Sequence, residues 1–191
     1  MPSIRTRPAF AEWPDSDALT EALAELVSLD LASPAWHARW IPEATPVPAA
    51  VAIRCRYAGV VLDTAWALLE IRMNADPDQS PNAVWTSITS EYLGIAPHPE
   101  WSWWALRGQL VQESGYMANY AVGAVLADDL RGAIRAARGD WIDGDPGWYD
   151  WMTEHVYRFG LERSAGDVLR DVLGRPPNED ALLAEIGRAR G

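Results

Sequence analysis

Residues 109–138 read QLVQESGYMANYAVGAVLADDLRGAIRAAR, and this stretch decides the predicted fold. Its apolar and small side chains recur at helical spacing, and no segment of the chain shows the sustained period-two alternation of a half-buried strand. We interpret residues 100–138 as one very long helix or as two helices, with Gly115 as the expected point of a kink. The chain as a whole is therefore predicted to be all-α.

One face of the predicted helix is polar. Its residues stand at i, i+3, i+4, i+7, i+10 and i+11, a spacing that places them on one side of a single helix. They are Gln109, Gln112, Glu113, Tyr116, Asn119 and Tyr120, which we call the polar track. A solvated face would be rich in Glu, Lys and Arg, whereas this one is mostly amide and phenol. The track is either a semi-buried lining of a ligand cleft or an ordinary amphipathic boundary whose tyrosine hydroxyls bond to neighbours.

The polar track contains one charged residue, Glu113, which is for that reason its best acid–base candidate. If the site is catalytic, Glu113 would transfer a proton, and Tyr116 or Tyr120 would stabilise negative charge developing on a substrate oxygen. The other substrate-binding candidates are the amides of the track and the tryptophans of the preceding segment: Gln109, Gln112, Asn119, Trp101, Trp103 and Trp104.

The remaining helices are predicted from apolar spacing between capping residues. A short polar side chain bonds the free N–H groups at a helix start, and glycine adopts the left-handed backbone at a helix end. The predicted helices run from Asp15 or Ser16 to about 31, from 49 to about 73, from Ser80-Pro81 to Gly94, from 148 to 159, from Ser164 to Gly174 and from Asn178 to 189.

The length of 191 residues fits a single helical domain, 1–191, of about six to eight helices. Residues 1–14 are predicted to form an irregular arm, because prolines recur through them. Residues 33–48 are predicted to be a Pro-rich connector, since Pro42, Pro46 and Pro48 make a continuous helix unfavourable there.

The acidic balance of the chain disfavours two classes of partner. Its 16 basic and 27 acidic residues give a net charge of −11, the wrong sign for binding nucleic acid or an anionic membrane. Every basic residue is arginine, so chemistry that needs a lysine, such as Schiff-base formation, is excluded. Cys55 is the single cysteine, and no signal peptide or membrane span is evident, so a cytoplasmic location is predicted.

The histidines do not have the spacing of a metal site. His37, His98 and His155 are scattered, and none has a partner of ligand type one helical turn away. The chain also lacks a cysteine cluster, a glycine-rich phosphate loop and a Gly-x-Ser-x-Gly motif. We therefore predict no bound metal and no cofactor.

Arg56, Asp63 and Glu70 stand at seven-residue spacing and share one face of the helix predicted at 49–73. Two interpretations of this face remain open, namely buried pairing of arginine with carboxylates and a solvated charged edge. If the face is buried and paired, removing Asp63 would leave a charge without its partner and would cost on the order of 3 kcal/mol.

Short motifs give the chain from residue 57 onward a resemblance to a known family. They are SEYLGI at 90–95, GYMANYAVG at 115–123, and a tail in which YRFG at 157–160 is followed by SAGDVL at 164–169 and by Gly174. With these motifs the chain resembles the C-terminal portion of helical zinc metallopeptidases, the carboxypeptidase Taq and oligoendopeptidase F/thimet oligopeptidase group. The resemblance implies a fold like the C-terminal lobe of these gluzincin peptidases. It also places Tyr116 and Tyr120 where such enzymes have tyrosines that contact the substrate or the tetrahedral oxyanion.

The zinc motif of that family is missing. Its members bind zinc through His-Glu-x-x-His on a helix and a further Glu, because two histidines one turn apart chelate the ion on one face. The chain has no such motif, and Gly108 and Gln109 stand near the place where the family has a histidine before its tyrosines. We interpret the chain as a half-sized relative that keeps the substrate side of the cleft without the zinc half.

Three functions follow from this interpretation. The first is a polar and aromatic cleft that binds a peptide-like or small organic ligand, with or without metal-independent acid–base catalysis of the kind used in specialised metabolism. The second is a noncatalytic interaction module that forms a homodimer or covers its exposed face with a partner. The third is the non-zinc half of a split peptidase, whose zinc motif lies on another chain.

Overall fold

Helices make up all the regular secondary structure in the described part of the chain, which confirms the all-α prediction. The computed structural model of the protein describes residues 13–45, 47–142, 144 and 147–188. Its α-helices, in chain order, are α1 (Asp17–Ser28), α2 (Pro34–Trp40), α3 (Ala49–Ala75), α4 (Pro81–Leu93), α5 (Gln109–Gln112), α6 (Met117–Arg138), α7 (Gly147–His155), α8 (Ala165–Leu173) and α9 (Asp180–Gly187). Short 3₁₀ segments lie at Leu29–Ala32, Trp103–Leu106 and Tyr157–Glu162.

Several helix ends lie where the capping residues predict them. Three serine hydroxyls accept a hydrogen bond from a backbone N–H three residues later: Ser16 from Leu19 at 3.3 Å, Ser80 from Ala83 at 3.4 Å and Ser164 from Asp167 at 3.1 Å. Gly94 and Gly174 follow α4 and α8 with φ angles of 65° and 68°. This is a left-handed conformation that glycine adopts without a Cβ clash. Local signals therefore predict these boundaries correctly.

The Pro-rich stretch predicted as a connector, 33–48, contains a helix. The Ser33 hydroxyl caps α2 by accepting a hydrogen bond from the N–H of Trp36 at 3.4 Å. Pro34 stands at the start of the helix, where its missing N–H is tolerated. With α2, the described residues contain nine α-helices, one more than the largest number predicted. Residues 1–12 of the predicted arm lie outside the described residues.

Three other predicted boundaries are displaced. Helix α1 ends at Ser28 and continues as a 3₁₀ segment, and the helix predicted at 148–159 is α7 followed by a 3₁₀ segment in which Gly160 has a φ of 48°. Asn178 does not occupy the cap position of α9. Its side chain accepts a hydrogen bond from the N–H of Asp180 at 3.2 Å, and so forms the turn that leads into the helix. The predicted end at 189 lies outside the described residues.

Residues 100–138, predicted as one very long helix or two, form the 3₁₀ segment at Trp103–Leu106, the short α5 and α6, so the prediction of α-helix over 100–108 is wrong. The break before α6 lies at Gly115, where the kink is expected. Gly115 has a φ of 92°, and α6 begins two residues later at Met117. The buried carboxylate of Glu70 on α3 holds this break, since it accepts hydrogen bonds from the N–H groups of Gly115 at 2.7 Å and of Met117 at 3.1 Å. A carboxylate is favourable there because the first turn of a helix leaves N–H groups without partners inside the helix.

Helix α6 packs into two hydrophobic clusters. The first joins α6 to α1, α7 and α8, and its most buried members include Leu19, Leu26, Leu130, Ile134 and Met152. The second joins the start of α6 to α3 and α4, and its most buried members are Leu69, Trp85, Ile88 and Met117. At the crossing of α1 and α6 a Cβ on Gly123 would lie 2.9 Å from Cβ of Glu21 and 3.2 Å from the carbonyl oxygen of Ala18. Only glycine, which has no Cβ, permits this close approach.

Three charged residues in the middle of α6 are buried: Asp128, Asp129 and Arg131. Their partners lie in α3, in the loop before α9 and at the end of α1: Tyr57 and Arg56 for Asp128, Arg175 and Asn178 for Asp129, Asp30 and Leu26 for Arg131. Buried charges need such partners, because an unpaired charge is costly in a dehydrated interior. These bonds therefore hold three parts of the chain around α6.

Arg56, Asp63 and Glu70 share a face of α3, as their spacing predicts, and each bonds a different part of the chain. Arg56 pairs with Asp128 at 3.1 Å, Asp63 pairs with Arg107, and Glu70 bonds the start of α6. Glu70 is buried, the side chain of Arg56 is 9% exposed and that of Asp63 is 19% exposed. Buried pairing of an arginine with a carboxylate is therefore correct for Arg56. Glu70 is buried but bonds backbone N–H groups instead of an arginine, and Asp63 pairs with Arg107 at a partly exposed position.

Candidate functional site

The break at Gly115 divides the predicted polar track. Its members lie on the two sides of this break: before it Gln109, Gln112 and Glu113, and after it Tyr116, Asn119 and Tyr120. The prediction that six residues share one face of a single helix is therefore wrong, because the left-handed backbone of Gly115 turns the chain between them. Gln112 and Glu113 are exposed, whereas the other four residues are partly buried.

Three members of the track nevertheless come together in space. The amide of Gln109 donates a hydrogen bond from Nε2 to the hydroxyl of Tyr120 at 3.2 Å. The rings of Tyr116 and Tyr120 meet edge to face with their centroids 5.5 Å apart, which is a favourable arrangement for aromatic side chains. The segment before the break thus folds back against the first turn of α6.

The hydroxyl of Tyr116 donates a hydrogen bond of 2.7 Å to Oε1 of Glu21 on α1. This bond and the loss of hydration around the hydroxyl raise the pKa of Tyr116 above its usual value, because a nearby carboxylate opposes formation of a phenolate. Tyr116 therefore keeps its proton near neutral pH, and its hydroxyl acts as a hydrogen-bond donor.

Arg107 connects the tyrosines to α3. It lies between the 3₁₀ segment at Trp103–Leu106 and α5, and its guanidinium pairs with the carboxylate of Asp63. The same guanidinium lies over two aromatic rings, 4.6 Å from the centroid of Trp66 and 5.5 Å from that of Tyr120. Cations are attracted to the faces of such rings, so Arg107 is held by one ion pair and two ring contacts.

The surroundings of Asp63 contain an excess of negative charge. Burial raises the pKa of its carboxyl group, Arg107 opposes this effect, and the carboxylates of Glu25 and Glu21 raise the pKa further. The carboxylates of Glu21 and Glu25 therefore act on Asp63, which pairs with Arg107. We refer to the following residues as the polar cluster: Glu21, Asp63, Arg107, Gln109, Tyr116 and Tyr120.

The tryptophans predicted to form walls of the site pack mainly in the second hydrophobic cluster. Trp103 meets Trp85 and Trp66 edge to face, with centroids 4.6 Å and 5.8 Å away. The indole N–H of Trp104 donates to Oδ1 of Asn82 at 2.6 Å, and the carbonyl oxygen of Trp104 accepts a hydrogen bond from Trp66 at 2.9 Å. These contacts anchor the segment that carries Arg107. Trp103 contacts Trp66, and the ring of Trp66 in turn contacts Arg107 of the polar cluster.

Sequence reasoning missed two members of the polar cluster, Glu21 and Arg107, and assigned Asp63 a pairing role alone. Glu21 is 95 residues away from Tyr116 along the chain, and no local pattern connects them. Arg107 offered a weak signal, since it is the one arginine within the tryptophan-rich segment that leads into the polar track.

Asn119 is partly buried, and its backbone N–H donates to the carbonyl oxygen of Tyr116 at 2.8 Å.

No group of three or more His, Cys, Asp or Glu side chains within the described ranges is placed to hold a metal ion. The three histidines make separate local contacts. His37 lies 2.6 Å from the carbonyl oxygen of Leu31, and His155 lies 2.8 Å from that of Trp151. His98 pairs with Glu100 and stacks on the ring of Trp101, which is an exposed residue.

A concave site lies between α1 and the C-terminal helices, away from the polar cluster. This pocket has a volume of about 730 Å³, within the range of about 300–1,000 Å³ that is typical of small-molecule sites. It is lined by Trp13, Pro14, Leu19, Thr20, Leu23, Ala24, Tyr149, Val156, Tyr157, Phe159, Gly160, Arg163, Ala165 and Val168, and we call it the α1–α8 pocket. The residues predicted from sequence to form a site do not line it.

Comparisons of the chain with protein-family models, with curated proteins and with solved structures give no match. The resemblance to helical zinc metallopeptidases therefore stays a prediction based on the short motifs. Among the helices of the described residues, none is long and apolar enough to cross a membrane.

Proposed function

We propose that the polar cluster binds a small organic or peptide-like ligand that carries a basic group, and that the protein is a relative of helical metallopeptidases that works without zinc. The observation that carries this proposal is the hydrogen bond from Tyr116 to Glu21, which joins a protonated phenol to a partly buried carboxylate. Because the one donor of the phenol is taken up by Glu21, the pair offers a ligand acceptor oxygens on both side chains in a partly dehydrated place, which suits a ligand that donates hydrogen bonds.

The charges around the cluster favour a basic group on the ligand. The negative charges of Glu21 and Glu25 act on Asp63, and Arg107 supplies the positive charge that opposes them there. An ammonium or guanidinium group would offset this excess and would also be attracted to the tyrosine rings.

If the bound ligand reacts, the cluster supplies the acid–base groups without a metal ion. Glu21 would accept a proton from the ligand, and its neutralisation would free the Tyr116 hydroxyl to donate its hydrogen bond to an oxygen that develops negative charge. Glu21 replaces Glu113 in this role, because Glu113 is exposed and precedes the break that separates it from the start of α6.

Two matched pairs of compounds test the proposal. Leucyl-phenylalanine amide and phenylethylamine carry a free ammonium group, and their N-acetyl derivatives lack that charge. Binding to the full chain is followed by intrinsic tryptophan fluorescence, since Trp66 contacts Arg107. We expect at least one free amine to bind about tenfold more tightly than its acetylated form, because a hydrogen bond to a charged group contributes about 1.5–3 kcal/mol.

Variants of the cluster locate the binding site. Tyr116→Phe and Glu21→Gln should each weaken amine binding by about tenfold, since each removes one polar group and keeps the side-chain volume. Tyr92→Phe is the matched control, because Tyr92 is an exposed tyrosine on α4. Absence of saturable binding by both amines, or equal affinities of the Tyr116 and Tyr92 variants, would contradict the proposal. A larger effect of Glu113→Gln than of Glu21→Gln would restore Glu113 as the acid–base residue.

A second candidate function is self-association through the segment that carries Arg107. Three apolar side chains within eleven residues of this segment are exposed: Trp101 by 52%, Leu106 by 78% and Val111 by 88%. Apolar surface of this kind is unfavourable in water and is often covered by a second copy of the chain. Sedimentation at micromolar concentration should show a dimer that Leu106→Ser with Val111→Ser dissociates and that Ile71→Ser on α3 leaves intact. A monomeric wild-type chain would remove this candidate.

A further inference from the structure

The α1–α8 pocket is separate from the polar cluster and has different chemistry. Its apolar wall is formed by the buried side chains of Leu19, Val156, Ala165 and Val168, which come from α1, α8 and the turn after α7. Aromatic rings complete this wall, since Tyr149 and Tyr157 lie with their centroids 5.7 Å apart. A surface of this composition favours a ligand with an apolar body, because apolar contact releases water from both partners.

Arg163 is the one charged residue among those that line the α1–α8 pocket in the described part of the chain. This is unusual for a chain with a net charge of −11. The guanidinium lies over the ring of Phe159, 5.0 Å from its centroid, and donates from one nitrogen to Oδ2 of Asp171 at 2.6 Å. A guanidinium has five N–H donors, so one bond does not exhaust its capacity.

The bond between Arg163 and Asp171 leaves room for a competing anion. The two side chains are 34% and 64% exposed, and ion pairs at such exposed positions contribute little. An anion seated in the pocket would meet Arg163 on the less hydrated side of this pair, where a charge-assisted hydrogen bond is stronger. The phenol of Tyr157 adds no repulsion, since burial raises its pKa and keeps it neutral.

We propose that the α1–α8 pocket is a binding site for a small amphipathic organic anion, with its apolar body against α1 and α8 and its single negative group on Arg163. The proposal does not depend on the function proposed for the polar cluster. It assigns the body of the ligand to the aromatic and aliphatic wall and its charge to the one cation among the described residues of the pocket.

A pair of fluorescent probes tests both parts of this assignment. Anilinonaphthalene sulfonate is an aromatic anion, and phenylnaphthylamine has a similar apolar body without the charge. We expect saturable binding of one sulfonate probe per chain. Arg163→Gln should weaken binding of the sulfonate probe by about tenfold and leave the neutral probe unchanged, whereas loss of apolar contact should affect both probes.

Two matched controls separate the pocket from other surfaces. Arg158→Gln removes a second guanidinium that lies over Phe159, 5.3 Å from its centroid, but does not line the pocket. Ala24→Phe adds bulk at an exposed pocket position of α1, and Val27→Phe adds the same bulk one turn later outside the pocket. We expect Arg158→Gln and Val27→Phe to leave both affinities unchanged, and Ala24→Phe to weaken both by at least about tenfold.

Three results would overturn the proposal. The first is an equal effect of the Arg163 and Arg158 variants on the sulfonate probe, and the second is unchanged binding of this probe by Ala24→Phe. The third concerns residues 1–12, which precede Trp13 at the edge of the pocket and include Phe10. Tighter probe binding after Phe10→Ala would identify this part of the chain itself as the occupant.

Discussion

The polar side chains in the middle of α6 and those at its start differ in burial. In the middle, Asp128, Asp129 and Arg131 are buried, and each bonds to another part of the chain. At the start, Tyr116 and Tyr120 are only partly buried, and their partners are partly buried as well. The charged group in the middle of α6 and the phenols at its start therefore differ in how easily a partner can be replaced.

This difference in burial separates a structural role from the proposed binding role. A buried ion pair loses several kcal/mol when one partner is removed, because the remaining charge stays dehydrated. A partly exposed hydrogen bond can exchange its partner for water or for a ligand at little cost. The middle of α6 should therefore control stability, and its start should control recognition.

The largest expected effect is at Asp30, a partner of the buried Arg131. Arg131 is 1% exposed, and Asp30 also accepts a hydrogen bond from the indole of Trp141 at 2.7 Å. Asp30→Ala should lower the free energy of unfolding by about 3–5 kcal/mol in urea titrations, because it leaves a buried guanidinium without its anion. Asp167→Ala on α8 is the control, since its pair with Arg170 is exposed, and it should cost less than about 1 kcal/mol. Similar losses in both variants would remove the contrast between the two roles.

The next effect is at Glu70, which bonds two N–H groups at the start of α6. Glu70→Ala should cost about 2 kcal/mol, since it removes a helix cap and leaves buried donors without an acceptor. Glu70→Gln keeps one acceptor oxygen and should cost less than the alanine variant. Glu91→Ala serves as the control, because Glu91 is 55% exposed and 4.0 Å from its partner Arg72. If Glu70→Ala unfolds no more easily than Glu91→Ala, the start of α6 does not depend on this carboxylate.

A smaller effect on stability is expected at Asp63, whose burial is intermediate between that of the charged residues in the middle of α6 and that of the tyrosines at its start. Its pair with Arg107 is partly exposed, so the cost of about 3 kcal/mol expected for a fully buried pair does not apply. Asp63→Ala should lower the free energy of unfolding by about 1 kcal/mol. A loss as large as that of Asp30→Ala would assign Asp63 to the structural group, and its place in the ligand site would then lose its basis.

The smallest expected effect is the contribution of Asp63 to the pH dependence of the free energy of unfolding. Burial raises the pKa of its carboxyl group in the folded chain, so the folded state binds this proton more tightly than the unfolded state. Stability from this group is therefore present below the unfolded pKa of about 3.9 and is lost as pH rises through the folded pKa. Asp63→Asn cannot lose that proton, so its stability relative to wild type should increase as pH rises from about 4 through the folded pKa of Asp63. The opposite trend in urea titrations would mean that pairing with Arg107 outweighs burial.

Much of the helical fold could be predicted because its signals are local. Ser80 and Gly94 lie at the two ends of α4 and act through their own backbone neighbourhood, so the sequence around them is sufficient. Gly115 likewise marks the break before α6 correctly. The 3₁₀ segment after α7 was missed, because apolar residues continue through Val156, Tyr157 and Phe159, whereas the backbone leaves the helical conformation at Val156 with φ −127° and ψ −64°.

The candidate site could be predicted only in part, because its partners are distant in the chain. Tyr116 and Tyr120 were identified from residues near them, whereas Glu21 comes from another helix. The error at Glu113 has a definite cause: helical spacing extends a face only while the helix continues, and Gly115 ends that continuity. The α1–α8 pocket has no sequence signature, since its wall uses ordinary core residues of α1 and α8.

The bonds from Glu70 have a consequence for the affinity of the candidate site. They hold the N–H groups of Gly115 and Met117, which are the two residues on either side of Tyr116. The backbone that carries this tyrosine is therefore ordered before any ligand binds, so ordering the backbone does not reduce the free energy of binding. A carboxylate on α3 that touches no ligand would thus affect the affinity of a binding site that includes a phenol on α6. Weakening the cap should slow ligand association and reduce affinity even where the protein remains folded.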